Sequence, residues 1–193
     1  MVRLHMIVAY CKPNKGIGYK NKLPWHLPCD LKRFKELTKN GTLITGRHTY
    51  ESLPLDKFKD REIAVITRND TIPNSFPTFS QCYQHYYSKL KKHDPLWIIG
   101  GSVLYEYVLK HHSIHKLFIT EIHKHFRCDT YFRGFHKKHY YLMEKQEGIE
   151  NGIPYVFKTY TDKVSDKDDV IHEKKLYPYN QCYYIDSFHS TTP

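Results

Sequence analysis

One carboxylate stands out from the other acidic residues because of the segment that carries it. Asp30 lies in LPWHLPCDLKRF, residues 23–34, where an apolar loop turns into an amphipathic helix. Pro24 and Pro28 restrict the backbone on the approach, so the loop is held in place. A carboxylate in the first helical turn is stabilised there, and it accepts two parallel hydrogen bonds from a flat cationic or amidine-like ligand. Asp30 is therefore either the anchor of a small-molecule site or only an acid at a helix N-terminus.

Two glycine-containing junctions suggest a second kind of chemistry, the binding of phosphate. Gly100 and Gly101 stand between a buried strand and a helix, where bare backbone and helix N–H groups approach an anion. The segment GRHT, residues 46–49, repeats this arrangement and adds the guanidinium of Arg47, which suits phosphate. Neither junction has the six-residue glycine fingerprint of the common dinucleotide-binding fold, and each one alone is also explained by a tight turn.

The apolar patterns predict the elements that must position these residues. Strands are predicted over residues 4–10, 42–45, 62–67, 96–99, 116–123, 140–147 and 154–161, and helices from Asp30 onward and over 47–53, 80–92 and 102–110. This alternation predicts an α/β fold, with a central, mostly parallel twisted sheet, helices on both faces and a C-terminal antiparallel hairpin. The Asn151-Gly152 pair is a hairpin signal that we place within a longer loop.

Helix ends are predicted from capping residues. Gly41 is well placed to end the helix that carries Asp30, because glycine commonly follows the last turn of a helix. Ser80 is predicted to cap the start of the helix over residues 80–92, which should stop before Pro95.

Length and composition predict one globular domain followed by a short tail. The chain has 193 residues, of which 40% are hydrophobic. No apolar run approaches the roughly 20 residues that a membrane span needs. The five cysteines lack paired spacing, which predicts reduced thiols and a cytoplasmic protein. Beyond Asp162 the composition becomes charged and then rich in tyrosine, so we expect a main domain over residues 1–162 and an extension of unknown role over 163–193.

The net charge of +10 at pH 7 raises the possibility of nucleic-acid binding. The basic residues are scattered, however, and no nucleic-acid module is recognisable, so a basic solvated surface is the favoured interpretation. Histidine, cysteine and aspartate residues cluster between His123 and His139, but their spacing matches no zinc pattern and no metal site is predicted.

Taken together, these motifs resemble the dihydrofolate reductase family from about Arg3 to Asp162. The matches are Ala9, the GIG turn at residues 16–18, LPWHLPCDLKRF, GRHT at 46–49 and IGG at 99–101, all in order and correctly spaced. The resemblance implies an NADPH-dependent oxidoreductase that transfers a hydride to C6 of dihydrofolate, with a cis peptide between Gly100 and Gly101. The reductase of riboflavin synthesis shares this fold, but LPWHLPCD and Arg61 favour folate. An alternative is a folate- or nucleic-acid-binding protein of this fold with little turnover, against which the intact Asp30 argues.

The resemblance also implies roles for residues on the substrate side. Asp30 would bind N3 and the 2-amino group of the pterin, with Thr120 supporting it by a hydrogen bond. Tyr105 would lie against the nicotinamide carboxamide, and Trp25 completes the catalytic set. The walls of the substrate pocket would be Leu31, Phe34, Leu53 and Ile99. The glutamate α-carboxylate would bind Arg61.

On the cofactor side, the resemblance implies that Arg47 and Arg68 hold the 2′-phosphate of NADPH, with Thr67 beside them and Thr49 at the pyrophosphate. The other implied cofactor-binding residues are Ala9, Ile17, Gly18, Gly46, His48, Gly100, Gly101, Ser102 and Val103. Residues 11–23 would form a lid with Gly16 and Gly18 as flexible points. Two departures from the family are Val103, where an arginine is common, and Thr45, where methionine is usual.

The expected partners are dihydrofolate and antifolate inhibitors. Because this reductase is fused to thymidylate synthase in some organisms, residues 163–193 are either the start of a linker or an added element that packs on the domain.

Overall fold

The structure is a computed structural model that describes residues 3–90 and 94–163. The helices are Pro28–Leu37 (α1), Arg47–Ser52 (α2), Phe79–Lys89 (α3) and Ser102–His111 (α4), with short 3₁₀ turns at Leu55–Phe58 and Lys137–His139. The strands are Arg3–Cys11 (β1), Gly16–Gly18 (β2), Thr42–Gly46 (β3), Glu62–Ile66 (β4), Ser75–Phe76 (β5), Pro95–Ile98 (β6), Lys116–Ile122 (β7), Thr130–Tyr131 (β8), Tyr140–Glu150 (β9) and Ile153–Asp162 (β10).

One twisted sheet organises these elements in the order β5-β4-β3-β6-β1-β7-β10-β9. The neighbouring pairs from β5 to β7 are parallel, and β10 pairs antiparallel with both β7 and β9. The predicted α/β fold is therefore confirmed. Because parallel strands end at the same edge of a sheet, the segments that follow β3, β4 and β6 are brought together there.

Each face of the sheet is covered by helices because side chains alternate along a strand. Met6 and Val8 of β1 point into a core that includes residues of α3 and α4. Ile7, between them, joins a second core that includes Phe34 of α1. The two faces thus bury separate apolar clusters, and Asp30 is carried by the helix on the second face.

The C-terminal hairpin is tighter than predicted. Asn151 and Gly152 form a two-residue turn between β9 and β10, with φ angles of 52° and 69°. Positive φ at both central positions is what such a turn requires, and asparagine and glycine tolerate it best. The prediction of a longer loop was wrong because both strands extend to the turn. Glu150, the last residue of β9, is consequently fixed in place.

Two predicted helix ends were also wrong. Helix α1 ends at Leu37 rather than beside Gly41, and the positive φ of 56° after it falls on Asn40. Gly41 instead makes room for the indole of Trp97, which a Cβ would approach to 3.0 Å. Helix α3 is capped by Thr78, whose hydroxyl accepts a hydrogen bond from the backbone N–H of Gln81.

A buried ion pair connects β7 with β10. The Glu121 carboxylate lies 2.8 Å from the Lys158 ammonium, and the Tyr10 hydroxyl donates to it at 3.0 Å. Burial alone would raise the pKa of Glu121, but hydrogen bonds from Lys158 and Tyr10 outweigh it and lower the pKa to about 2. Glu121 therefore stabilises the folded state above its ordinary pKa of 4.5, and this contribution is lost as the pH falls towards 2.

Lys158→Met is expected to lower the free energy of unfolding at neutral pH by about 3 kcal/mol, because it removes the closest ammonium from the buried Glu121 carboxylate. It leaves only the more distant Lys12, at 3.8 Å, and His123 beside this carboxylate. Denaturant unfolding followed by circular dichroism measures the loss. The double variant Glu121→Gln/Lys158→Met is the control, since it removes the stranded charge and should recover most of the stability. Equal losses in the single and double variants would contradict this account.

Within residues 3–90 and 94–163, no helix is both long and apolar enough to cross a membrane.

Candidate active site

Asp30 lies in the first turn of α1 and is held by a threonine of the sheet. The hydroxyl of Thr120, in β7, donates to Oδ1 of Asp30 at 2.5 Å. Thr120 is buried and pairs in register with Ala9 of the neighbouring strand β1. The structure therefore brings together three of the residues that the sequence assigned to the site.

The first turn of α1 has one backbone N–H bound by a residue 121 positions away in the sequence. Leu27 at the N-cap makes no side-chain cap, and the carboxylate of Glu150 accepts instead from the backbone N–H of Cys29 at 2.9 Å. Burial raises the pKa of Asp30, while the hydrogen bond from Thr120 and the charge of Arg33 oppose the shift. The negative charge of Glu150 adds to it. Sequence reasoning missed Glu150, and its position directly before the Asn151-Gly152 turn was the signal available.

An apolar cluster adjoins this carboxyl group. Phe34 and Leu53 are partly buried against a core that contains Ile99, and Phe58 packs into the same cluster with its ring 6.0 Å from that of Phe34. Three of the four predicted pocket walls are thus brought together. The fourth, Leu31, is 48% exposed and lies on α1 next to Asp30. An apolar surface with one polar anchor is the usual character of a small-molecule site.

Arg61 stands at the edge of the apolar cluster. Its guanidinium lies 4.4 Å from the ring centre of Phe58 and donates to the Thr38 hydroxyl at 3.2 Å and to the Lys57 carbonyl at 2.6 Å. It also pairs with Asp60 at 3.0 Å. The side chain is only 2% exposed, so its orientation is fixed by the fold. A rigid guanidinium of this kind is suited to binding a carboxylate.

The two glycine junctions meet at the carboxyl ends of β3 and β6. The backbone N–H of Gly46 donates to the carbonyl of Gly100 at 2.7 Å, and the hydroxyl of Thr45 donates to the same oxygen at 3.0 Å. The peptide between Gly100 and Gly101 is cis, as the resemblance implies. A Cβ on Gly101 would come within 3.0 Å of the Thr49 hydroxyl. Thr45, which the sequence marked only as a departure, holds this junction together.

The predicted phosphate-binding residues surround that junction. Arg47 begins α2 and pairs with Glu51 at 2.9 Å, while Thr67 and Arg68 directly follow β4. Ser102 and Val103 open α4 on the other side, and the side chain of Val103 is exposed. His48 is also exposed. Two arginines and bare backbone therefore lie at one edge of the sheet, which suits a phosphorylated nucleotide.

Tyr105 connects the two halves of the site. Its hydroxyl donates to the carbonyl of Ile7 at 2.7 Å, and a Cβ on Gly100 would lie 3.3 Å from that hydroxyl. Burial, and then the charge of Asp30, raise the pKa of Tyr105, so it is a neutral hydrogen-bond donor. Trp25 is buried, and within the described part of the chain its indole N–H has no hydrogen-bond acceptor. A ligand or an ordered water would supply one.

The predicted lid is held by hydrogen bonds to the segment before β8 and to α2. Gly18 accepts from the N–H of Asp129 at 3.0 Å, and the carboxylate of Asp129 accepts from the N–H of Lys20 at 2.8 Å. The side chain of Asn21 donates to the carbonyl of His48 at 2.9 Å, so the lid also reaches the cofactor side of the site. Ile17 and Gly18 lie within β2, a short strand paired with β1 and β8.

Among the residues that the structure describes, no group of three or more histidine, cysteine, aspartate and glutamate side chains could hold a metal ion.

Thr120→Val is expected to raise the pKa of Asp30 further, because it removes the hydrogen bond that favours the charged carboxylate. For the reduction of dihydrofolate that the resemblance implies, we expect kcat/KM to fall by about tenfold at neutral pH, as for the loss of one hydrogen bond to a charged group. The pH dependence of kcat/KM measures both effects. Thr161→Val, which removes a buried hydroxyl bonded to the His115 carbonyl, is the matched control. An unchanged pH profile in Thr120→Val would refute the proposed support of Asp30.

Comparisons with known proteins agree with this geometry. The family model described as dihydrofolate reductase matches residues 3–162. The dihydrofolate reductase of Heliothis virescens is 31% identical over an aligned length of 182, and the match covers 82% of this chain and 97% of the relative. The bifunctional dihydrofolate reductase-thymidylate synthase of Paramecium tetraurelia is 33% identical over 165 residues, covering 83% of this chain and 35% of that protein.

Among solved structures, the dihydrofolate reductase from Enterococcus faecalis complexed with NADP(H) and RAB-propyl has a TM-score of 0.74 and 28% sequence identity. The match covers 83% of this chain and 96% of that one. The fold, the order of the motifs and the family match thus agree, and the chain belongs to the dihydrofolate reductase family.

Proposed function

We propose that this chain reduces dihydrofolate to tetrahydrofolate with NADPH, and that Asp30 is the polar anchor of its substrate site. The activity follows from the family to which the chain belongs. The observation that carries the role of Asp30 is its carboxyl group, held by Thr120 beside an apolar cluster. That arrangement supports recognition of a flat ring with adjacent N–H groups, because one carboxylate accepts two such hydrogen bonds.

On the substrate side, Asp30 would accept hydrogen bonds from N3 and the 2-amino group of the pterin. Phe34, Leu53 and Ile99 would contact the rings, with Leu31 at the exposed side of the pocket. Arg61 would bind the glutamate α-carboxylate, a role supported by its fixed orientation at the rim of the apolar cluster. Antifolates that carry an amidine-like ring are expected to bind Asp30 in the same way.

On the cofactor side, the junction around Gly46, Gly100 and Gly101 has the bare backbone that close approach of a pyrophosphate needs. Thr49 would donate to the pyrophosphate, and Arg47 and Arg68 would hold the 2′-phosphate, with Thr67 beside them. The remaining contacts would come from Ala9, Ile17, Gly18, His48, Ser102 and Val103. When bound, NADPH supplies the hydride that reaches C6 of the substrate ring.

The chain itself would contribute alignment, exclusion of water and control of a proton. The lid over residues 11–23 would cover the reacting rings, and lid motion commonly limits turnover in enzymes of this kind. The charge of Asp30 would increase the tendency of the substrate ring to take up a proton at N5, which would arrive through water. Trp25 would position the substrate ring through its indole N–H, and Tyr105, whose hydroxyl donates to the Ile7 carbonyl, would lie against the nicotinamide carboxamide.

The proposal is tested by following the absorbance of NADPH in the presence of the purified chain and dihydrofolate. We expect NADPH to be consumed only when dihydrofolate is present, and a diaminopteridine antifolate to stop the reaction. Binding of both NADPH and the antifolate without consumption of NADPH would instead favour a folate-binding protein that lacks turnover.

We also propose that residues 1–162 form the complete reductase domain and that residues 163–193 are an extension outside it. The family match, which ends at residue 162, supports this division. The bifunctional relative from Paramecium supports a functional link to thymidylate synthase. The cytoplasm is the proposed location, because the five cysteines lack the paired spacing of a disulfide framework.

Removal of residues 164–193 is expected to leave the reductase folded and its kcat/KM within about twofold of the full chain, because surface extensions of a complete domain contribute little to its core. Thermal unfolding and the NADPH assay measure the two properties. Removal of residues 153–193 is the control and should abolish folding, since it deletes β10, which lies between β7 and β9. Insoluble protein after the shorter deletion would show that the extension packs on the domain.

A further inference from the structure

Two thiols lie together at the base of the lid, in the apolar cluster that also contains Trp25 and Ala9. Cys11 is the last residue of β1, and Cys128 precedes β8. Their Sγ atoms are 3.7 Å apart, although 117 positions separate them in the sequence. Cys11 is fully buried, and Cys128 is half-buried. A disulfide has an S–S distance of about 2.05 Å, so a small shift of the two side chains would join them.

The close approach of these thiols depends on Gly16 of β2. A Cβ at position 16 would lie 2.3 Å from Sγ of Cys128, so any other residue would displace this side chain from its present position. The backbone around Cys128 is also fixed, because its carbonyl accepts from the Tyr131 hydroxyl at 2.7 Å and the next N–H, of Asp129, donates to Gly18 at 3.0 Å. The fold therefore holds both sulfur atoms in place.

We propose that Cys11 and Cys128 are a modification site at which small-molecule disulfides, such as oxidised glutathione, introduce a reversible cross-link. The half-buried Cys128 has its pKa raised to about 11 by burial and by the neighbouring Cys11, so it would attack through the small fraction that is thiolate at neutral pH. Its attack on one glutathione sulfur breaks the glutathione disulfide and releases one glutathione thiolate. Cys11 would then lose its proton and attack Sγ of Cys128, which releases the second. The two cysteines are oxidised by two electrons, and the oxidant, with the two released protons, becomes two molecules of reduced glutathione.

The cross-link would act on the lid through the elements that it joins. The loop that carries Cys128 continues into Asp129, which binds the N–H of Lys20 in the lid, and into β8, which pairs with β2. A covalent bond from this loop to the end of β1 would hold the lid in the arrangement seen here. The consequence for turnover rests on the proposed function, in which the lid must open for ligands to exchange.

The formation of the cross-link can be tested without any activity assay. The reduced full-length chain carrying Cys182→Ser is incubated with oxidised glutathione, the remaining thiols are alkylated, and peptides are mapped by mass spectrometry. Cys182 is replaced so that the mapping concerns only the four cysteines that the structure describes. We expect a peptide that joins Cys11 to Cys128 and a decrease of about two daltons in the intact mass before alkylation.

Three variants in the same background sharpen this test. Cys11→Ser and Cys128→Ser should each lose the cross-linked peptide, whereas Cys82→Ala, which removes a buried thiol elsewhere, should keep it. If Cys11→Ser fails to fold, Cys128→Ser alone provides the comparison. Unmodified thiols in the parent chain, or glutathione attached to Cys128 with no bond to Cys11, would overturn the proposal.

The effect on the lid is measured separately as kcat for NADPH consumption before and after oxidation. We expect a several-fold decrease that dithiothreitol reverses and that Cys128→Ser does not show. A cross-linked chain with unchanged kcat would overturn the effect on the lid. Absence of turnover in the fully reduced chain would count against the proposed function, while the mapped peptide would still decide whether the cross-link forms.

Discussion

Asp30→Asn is expected to lower kcat/KM for dihydrofolate by about two to three orders of magnitude, which is the range seen when a group that controls proton transfer is removed. Asparagine keeps an oxygen that accepts from Thr120, so the local geometry should persist. It lacks the negative charge that favours a protonated substrate ring. Steady-state kinetics at neutral pH measures the change, and Asp70→Asn, in an exposed loop, is the matched control.

The free energy of unfolding of Asp30→Asn, unlike its kcat/KM, should not fall at neutral pH. Because burial raises the pKa of Asp30, the folded chain binds a proton there more readily than the unfolded chain. The contribution of Asp30 to stability therefore falls as the pH rises from its ordinary pKa of 3.8 through the raised value. At neutral pH the asparagine variant should be at least as stable as the parent, and urea unfolding checks this. Near-parental turnover, or a collapse in stability, would show that Asp30 is structural.

Arg47→Ala is expected to weaken NADPH binding by about 10- to 100-fold, as for the loss of a charge-assisted contact with phosphate. NADH lacks the 2′-phosphate, so its affinity should change little. Fluorescence titration with each cofactor gives the two dissociation constants. Arg133→Ala removes the same charge from an exposed loop and controls for the general effect of the basic surface on an anion.

A further comparison separates the two arginines that the sequence assigned to the phosphate. Arg68→Ala should produce a loss in the same direction, since Val103 leaves no arginine on the α4 side of the site. Equal weakening of NADPH and NADH by Arg47→Ala would refute its assignment to the 2′-phosphate. It would indicate that Arg47 acts instead on the part of the cofactor common to both.

The parts of the site that could be predicted from sequence are those set by local patterns. Asp30 follows two prolines at the start of an amphipathic helix, and Gly46 and Gly100 each stand where a strand gives way to a helix. Gly100 has a φ of 119°, which favours glycine, and prolines restrict the chain where a helix begins, so such signals can be recognised locally. The alternation of strands and helices likewise predicted a mostly parallel sheet with helices on both faces.

The features that sequence analysis missed depend on contacts between distant segments. Glu150 completes the start of α1 across 121 positions, and Thr45 donates to Gly100 across 55. The partner of neither side chain can be read from its neighbours in the sequence: the Asn151-Gly152 turn indicates where Glu150 lies in the hairpin, but not that it contacts α1. Gly41 was misread for a related reason, since its small size serves the packing of Trp97 rather than the end of a helix.

The measurement that tests the central claim most directly follows an isotope from cofactor to product. The purified chain is incubated with dihydrofolate and NADPH that carries deuterium at both positions of C4 of the nicotinamide, and the product is examined by mass spectrometry and proton NMR. We predict tetrahydrofolate with one deuterium at C6, formed at a rate that Asp30→Asn sharply reduces. Absence of tetrahydrofolate, or product without deuterium at C6, would contradict the account.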